Sequence, residues 1–305
     1  MAGQTHKRCL VHAGRARPRA PHRSGSECCK YLAYLAHMSM ARSLGNRQLM
    51  KLRVKNCMSA IVGAEILGLV LRERKYRRHR KKGFFGAHGI DKRLASLLPH
   101  RDGFYVELGA NDGAFKSNSL YFELKKNWRG VLVEPAPNLF LSCLKRRGDR
   151  NYVAPVACVP FGYVAPFVRL SYANAMTVSR DLELDLANVE SHLELSERYL
   201  PPGEQNFEFG ALAATLTSIL DDAGAPEEID FLSLDVEGAE LAVLQGVNFD
   251  KYKFKFMAIE SRDVKRLQIF LEPFGYKLLE SLSGHDFLFG WNLRDSSSPV
   301  RDGEQ

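Results

Sequence analysis

A chain of 305 residues is long enough to form one large folded domain with appended segments. Its net charge of +8 is unevenly distributed, since residues 1–82 hold 20 Lys and Arg against three acids, whereas residues 83–305 hold 23 basic and 32 acidic residues. The acidic body argues against nucleic acid as its substrate. Six cysteines without a Cys-x-x-Cys pair indicate neither a disulfide framework nor a zinc site.

Residues 1–57 are rich in Arg, Ser and Ala and nearly free of acids. Such a segment cannot bury enough apolar surface to fold alone, so we predict a basic, disordered extension. The composition is also typical of an organellar targeting peptide, and later methionines such as Met58 leave open a later start. The compartment therefore stays undecided, with the cytoplasm as the default.

Residues 58–82 form a second segment, an apolar run followed by a basic block. The run, 58–71, is interrupted by Glu65 and is shorter than the roughly 20 residues that span a bilayer. We predict a helix that packs on the body or lies on a membrane surface. The block 72–82 is either solvated linker or a contact for anionic lipid or nucleic acid.

From Gly83 onward, short apolar segments alternate with helical patterns, which is typical of a doubly wound α/β sheet. Residues 164–172 fit a hairpin arm, and residues 173–210 look like an irregular insertion able to cover a site. The predicted strands are 104–107, 130–134, 152–159, 229–235 and 254–260, with 276–280 and 286–289 as a closing pair, and the predicted helices are 117–126, 136–147, 215–222, 238–246 and 263–274.

The first motif joins a buried strand, a glycine turn and a helix in the string Gly103-Phe-Tyr-Val-Glu-Leu-Gly-Ala-Asn-Asp-Gly113. This arrangement builds nucleotide sites, because glycine lets the backbone approach a ligand closely. The acids Glu107 and Asp112 would repel a pyrophosphate, so a cationic, hydroxyl-bearing ligand fits better than a dinucleotide. S-adenosylmethionine, with its ammonium, sulfonium and ribose diol, is such a ligand.

A second acid, Glu134, ends the next predicted strand and is followed by Pro135. In nucleotide-binding sheets an acid at this place accepts hydrogen bonds from the ribose hydroxyls. A surface glutamate before a turn proline is the plainer interpretation. The preceding motif favours ribose binding.

The third motif is Asp235-Val-Glu-Gly-Ala-Glu240, three acids at the end of a buried strand. They could orient the ligand's ammonium, hold a divalent metal or act as a general base. Alternatively, Glu237 and Glu240 simply favour a helix N-terminus. That alternative does not explain Asp235, which closes an apolar run.

These three motifs, in this order and spacing, resemble the FkbM-type methyltransferase family over about residues 100–290. The resemblance implies a Rossmann-like, mostly parallel seven-stranded sheet with one antiparallel strand, as a domain over 83–295 followed by a polar tail, 296–305. It implies methyl transfer from S-adenosylmethionine, usually to a hydroxyl oxygen of a sugar or small metabolite. Ser233 stands where the family often has Lys. The chain is also similar to a Star-like branch of the family, and this similarity implies an alternative function as a non-catalytic binding or trafficking module.

The resemblance also implies roles for individual residues. It places Asp235 between cofactor and acceptor, with Glu237 beside it. Independently of the resemblance, an alcohol acceptor needs a base, for which Asp235 is the first candidate and His285 in the last predicted hairpin the second. No residue is assigned as a metal ligand, and the adenine contacts are left unassigned. The cofactor-binding residues implied are Glu107, Gly109, Ala110, Asn111, Asp112, Gly113, Glu134, Pro135 and Asp235.

Overall fold

A computed structural model describes residues 70, 73–74, 76–78, 83–201 and 203–292. The predictions for 1–57 and for the tail 296–305 lie outside the described residues, as does most of the apolar run 58–71. Where 73–78 is described it is helical, with Glu73 and Tyr76 partly buried and Arg77 exposed. No helix in the described part of the chain is long and apolar enough to cross a membrane. Membrane-surface contact by 58–82 stays a prediction.

A seven-stranded sheet forms the centre of the domain. Its strands are β1 (Phe104–Leu108), β2 (Arg129–Val133), β3 (Tyr152–Ala154), β8 (Glu228–Leu234), β9 (Lys253–Glu260), β10 (Tyr276–Ser281) and β11 (Asp286–Trp291). They lie in the order β10-β11-β9-β8-β1-β2-β3. The pairs β1–β2, β1–β8, β2–β3 and β8–β9 are parallel, whereas β11 is antiparallel to both β9 and β10. The predicted Rossmann-like sheet with one antiparallel strand is therefore confirmed.

Helices cover both faces of this sheet, because the central strands are apolar on both sides. The covering helices are α1 (Ile90–Leu97), α2 (Leu120–Lys126), α3 (Pro137–Arg147), α5 (Leu216–Asp222), α6 (Glu240–Leu244) and α7 (Val264–Leu271). In β1, Val106 and Leu108 pack with α5, α6 and α7, whereas Tyr105 faces α1 and α2. Side chains at the predicted starts cap α5 and α7: Thr215 accepts from the Ser218 amide and Asp263 from the Arg266 amide.

A second, four-stranded sheet, ordered β4-β7-β5-β6, corrects two predictions. The single strand expected over 152–159 is divided at Pro155, which has no N–H to donate, and its second half joins the new sheet. The region 173–210 is not irregular, since it contains a helix and strand residues. Its elements and the rest of the second sheet are β4 (Val156–Cys158), β5 (Phe167–Tyr172), β6 (Val178–Ser179), α4 (Val189–Ser196) and β7 (Phe207–Ala214).

Candidate functional site

An open pocket lies where the carboxyl ends of β1, β2 and β8 meet the second sheet. Crevices at this edge of an open α/β sheet are the usual ligand sites of such folds. Six of the nine predicted cofactor residues line this pocket: Glu107, Gly109, Asn111, Glu134, Pro135 and Asp235. The other three, Ala110, Asp112 and Gly113, are buried and are not among the lining residues.

The glycine turn is pressed against the end of β8. Gly109 has φ +78°, and a Cβ placed there would lie 1.9 Å from the carbonyl oxygen of Asp235. Only glycine fits, both for its backbone angle and for its space. The next turn residue in the lining, Asn111, donates its amide to Oε2 of Glu134 at 2.8 Å. The turn, the second strand end and the third motif are therefore in direct contact.

Glu107 lines the pocket, but both of its oxygens already have donors. Oε1 accepts from the Asn118 amide at 2.8 Å, and Oε2 accepts from the hydroxyls of Ser117 and Ser119 at 2.9 and 2.6 Å. The guanidinium of Arg147, which is 1% exposed, lies 3.2 Å from the same Oε2. The main role of Glu107 is therefore to fix the segment that follows the turn.

Asp112 also has a structural role. Its Oδ1 accepts from the amides of Ala114 and Phe115 at 3.0 and 2.8 Å, which closes the turn, and Arg146 lies 3.8 Å from its Oδ2. The side chain is buried and does not line the pocket. The structure thus does not bring the side chain of Asp112, an implied cofactor-binding residue, into the pocket, because its carboxylate bonds back to its own loop.

Glu134 is 4% exposed and lines the pocket. Its Oε2 accepts from the Asn111 amide and its Oε1 from the Ala136 amide, each at 2.8 Å. Burial raises the pKa of Glu134 to about 7, although the two amides oppose the shift. Because a carboxylate oxygen has two lone pairs, both oxygens keep an acceptor position after these bonds.

The far end of the pocket is apolar and is formed by the second sheet. Val156, Ala157 and Cys158 of β4 and Leu170 of β5 line it, together with Leu182. Sequence reasoning left the adenine contacts unassigned and named none of these residues as a ligand contact. The division of the strand at Pro155 carries β4 out of the main sheet and into the pocket wall.

A carboxylate cluster, which we define as Asp235, Glu237 and Glu260, lies beside the turn. One oxygen from each residue lies within 4.8 Å of the other two, which is close enough for a divalent cation to bind all three. Asp235 is exposed to the pocket although protein atoms surround its carboxyl group. The resulting desolvation, together with Glu260 and Glu237, raises its pKa well above the ordinary value. Burial and Glu260 also raise the pKa of Glu237, to about 7. Like charges this close favour retention of protons.

Glu237 adopts φ +56°, a left-handed backbone angle that is uncommon outside glycine. Its Oε2 lies 3.3 Å from a guanidinium nitrogen of Arg262 and 3.8 Å from Nε2 of His192. Strained residues of this kind concentrate at functional sites. Glu240 differs, since its Oε1 accepts from the amides of Val236 and Gly238 at 2.9 and 3.1 Å, and it does not line this pocket. The helix-terminus interpretation thus suits Glu240 alone.

His285 lies away from the pocket, so we do not retain it as a candidate base. It is exposed in the turn between β10 and β11, and its backbone carbonyl accepts from the Ser261 amide at 2.8 Å. The sequence made His285 a candidate base because it directly precedes the last predicted strand, but the turn that holds it faces solvent. Ser233, which replaces the Lys common in the family, lines the pocket and accepts from the Asn118 side chain at 3.1 Å.

The family model for the methyltransferase FkbM domain matches residues 107–289. The chain belongs to the FkbM methyltransferase family. Membership implies use of S-adenosylmethionine, and the Rossmann-like sheet described above is the fold expected of such an enzyme.

Two solved structures similar to this FkbM domain have low sequence identity to it. The precorrin-6y C5,15-methyltransferase of Geobacter metallireducens is 15% identical with a TM-score of 0.35, covering 66% of this chain and 86% of that one. A human methyltransferase 10 domain containing protein is 12% identical with a TM-score of 0.36, covering 67% and 80%. A comparison with curated proteins found no match. The family assignment rests on the sequence match alone.

Proposed function

We propose that this FkbM family member transfers a methyl group from S-adenosylmethionine to a hydroxyl oxygen on a sugar or small metabolite. The observation that carries the proposal is the contact between Gly109 and the backbone of Asp235. A cofactor held over the glycine turn would have its reacting end beside the carboxylate cluster. An alcohol acceptor needs a base at that position, because its proton must leave as the methyl group arrives.

The lining residues fit each part of the cofactor. The two acceptor positions that remain on Glu134 suit the paired hydroxyls of the ribose. The apolar wall of Val156, Cys158 and Leu170 suits the flat adenine ring. Asp235, with its neighbours in the carboxylate cluster, supplies negative charge for the sulfonium and the ammonium. The chemistry of these three surfaces agrees with S-adenosylmethionine.

The demand on the protein in such a reaction is modest. When bound, the sulfonium cofactor supplies a methyl group that is already activated, so the C–S bond breaks as the new C–O bond forms. The pocket would hold the acceptor oxygen in line with that methyl group, and proximity supplies much of the rate. The Asp235 carboxylate would accept the hydroxyl proton. It can accept that proton only in its ionised form, which the positive charge of the bound cofactor would favour by opposing the raised pKa.

Calorimetry with the intact chain tests the cofactor part of the proposal. The wild-type chain should bind S-adenosylmethionine, and Glu134→Ala should weaken binding about tenfold or more, because hydrogen bonds to a charged group contribute about 1.5–3 kcal/mol. Glu228→Ala is the matched control, since Glu228 is exposed at the opposite end of β8 and should bind as the wild type does. Absence of binding by the wild-type chain contradicts the proposal.

Turnover is tested with a methyl-labelled cofactor and a panel of glycans and hydroxylated metabolites. Asp235→Asn should reduce turnover about a hundredfold or more, the usual contribution of a general base, while it retains the fold. Analysis of the product distinguishes O-methylation from methylation at nitrogen or carbon. Tight cofactor binding with no turnover across the panel would support the non-catalytic Star-like alternative instead.

A further inference from the structure

Lys116 is the source of positive charge in a pocket that is otherwise acidic. Among the described residues that line the pocket, it alone carries a cationic side chain. Its side chain is exposed, and its ammonium lies 5.7 Å from the centre of the Phe115 ring. Within the part of the chain that the structure describes, it makes no ion pair with an acid. Its charge is therefore available to a bound anion, although four acids line the same pocket: Glu107, Glu134, Asp235 and Glu237.

The segment that follows Lys116 is fixed across the ends of two central strands. The Ser117 hydroxyl and the Asn118 amide donate to Glu107 at 2.9 and 2.8 Å, and the Asn118 side chain donates to Ser233 at 3.1 Å. Glu107 and Ser233 are partners in the register of β1 and β8. Lys116 itself has φ +54°, in the left-handed region. These bonds keep its backbone at the end of β8 that leads into the third motif.

The cofactor carries one group that the surfaces described above leave without a partner, its carboxylate. The ammonium and the carboxylate of S-adenosylmethionine are attached to the same α-carbon. A cofactor whose ammonium lies at the carboxylate cluster must therefore place its own carboxylate close by, where the acids of the protein would repel it. A cation beside the cluster would remove this conflict.

Two cations lie near the cluster, and only one of them is available. The guanidinium of Arg262 pairs with Glu237 and Glu260, and Arg262 does not line the pocket. Lys116 does line it, and its charge also acts on the Glu237 carboxyl. Lys116 is thus the cation that a carboxylate in this pocket could reach.

We propose that Lys116 binds the α-carboxylate of S-adenosylmethionine through an ion pair with its ammonium, and that it selects ligands that carry this acid group. The inference rests on the proposed function, because it concerns the same cofactor. Opposite charges on the two sides of the amino acid, Lys116 on one and the carboxylate cluster on the other, would fix how the methionine part is turned. That orientation sets the direction of the methyl group, on which in-line transfer depends.

Calorimetry on the intact chain with two ligands tests this role. One ligand is S-adenosylmethionine, and the other is its decarboxylated form, which keeps the sulfonium, the ammonium, the ribose and the adenine. In Lys116→Met the affinity for S-adenosylmethionine should fall about tenfold, because a charge-assisted hydrogen bond is lost. The affinity for the decarboxylated ligand should stay constant or rise, since a positive side chain is removed from beside a ligand with two positive charges. Lys116→Arg keeps the charge and should retain most of the wild-type affinity.

Lys125→Met is the matched control. Lys125 is exposed in the last turn of α2, which leads into the start of β2 at the opposite edge of the sheet from the pocket. The variant removes the same charge, and its affinities for both ligands should equal those of the wild type. If Lys116→Met weakens the two ligands equally, or weakens neither, the proposal is wrong.

The remaining outcomes also have defined meanings. If Lys116→Met does not fold, Lys116→Asn carries the same expected affinities, because Asn tolerates the left-handed backbone better than most residues. Failure of both neutral variants beside a folded Lys125→Met contradicts the proposal by making Lys116 a stability residue. A wild-type chain that binds neither ligand overturns the proposed function itself. A wild-type chain that binds both, with the same affinities in Lys116→Met, overturns only the role of Lys116.

Discussion

Two groups of acids lie at the same edge of the sheet and are built in opposite ways. Around Glu107, an amide, two hydroxyls and the buried Arg147 supply donors to both carboxylate oxygens. In the carboxylate cluster, the partly exposed guanidinium of Arg262 pairs with Glu237 and Glu260, and among the described residues it makes no ion pair with Asp235. A carboxylate with all its partners inside the protein stabilises the fold. One that lacks them is available to a ligand or to a proton.

The largest expected effect follows removal of the cation from the first group. Arg147 contacts Glu107 at 3.2 Å and Glu123 at 2.8 Å, and it is 1% exposed. Arg147→Met leaves both acids buried without their partner, so we expect a loss of about 3–5 kcal/mol in the free energy of unfolding. Urea denaturation measures the loss. Arg146→Met, at the neighbouring and more exposed position, is the control and should cost about 1 kcal/mol or less.

Neutralising one acid in each group should change stability in opposite directions. Glu107→Gln weakens the bonds to Arg147 and the two serines, and we expect a loss of about 1–3 kcal/mol. Asp235→Asn removes a like charge from the carboxylate cluster, so the melting temperature should stay constant or rise. Equal destabilisation by the two variants would show that the comparison between the groups is wrong.

A smaller effect is expected from pH alone. The folded chain holds the protons of Glu134 and Glu237, whose pKa values are about 7, more tightly than an unfolded chain with a value near 4.5. Stability from these groups is therefore complete below about pH 4.5 and is lost as the pH rises through 7. Unfolding measured between pH 5 and 8 should show this decline. The decline should be shallower in Glu237→Gln, and an identical slope in that variant would contradict the assignment.

The sequence predicted where the acids lie better than what each acid does. Glu107, Glu134 and Asp235 each end an apolar run, and that pattern is visible in any single sequence. Whether an oxygen is free depends on partners from distant positions, such as Arg147 for Glu107 and Asp185 for Arg262. No local pattern encodes those pairs, so the sequence did not distinguish the structural acid from the others.

The second sheet was missed for a different reason. Strand β6 has only two residues, and β7 contains Gly210, Ala213 and Ala214, which have low β-propensity. Pairing with β4 and β5 overrides that weakness. Pro155 was a readable signal, since proline is rarely found within a central strand, and the prediction of one continuous strand was wrong on that point.

The pairing of β4 with β7 has a consequence for engineering. Val156 pairs with Leu212 and Cys158 with Ala214. The segment between these two strands therefore begins and ends at neighbouring strands whose pairing register is fixed. Residues 159–211 are thus a segment with fixed ends, and a chimera could exchange it for the equivalent stretch of another family member. The exchange would keep Val156 and Cys158 in the pocket wall and would replace Leu170 and Leu182. The donor stretch would also need a counterpart of Asp185, whose carboxylate accepts from the Ser261 hydroxyl and the Arg262 amide directly after β9. Without these hydrogen bonds the exchanged segment would lose its contact with the end of β9.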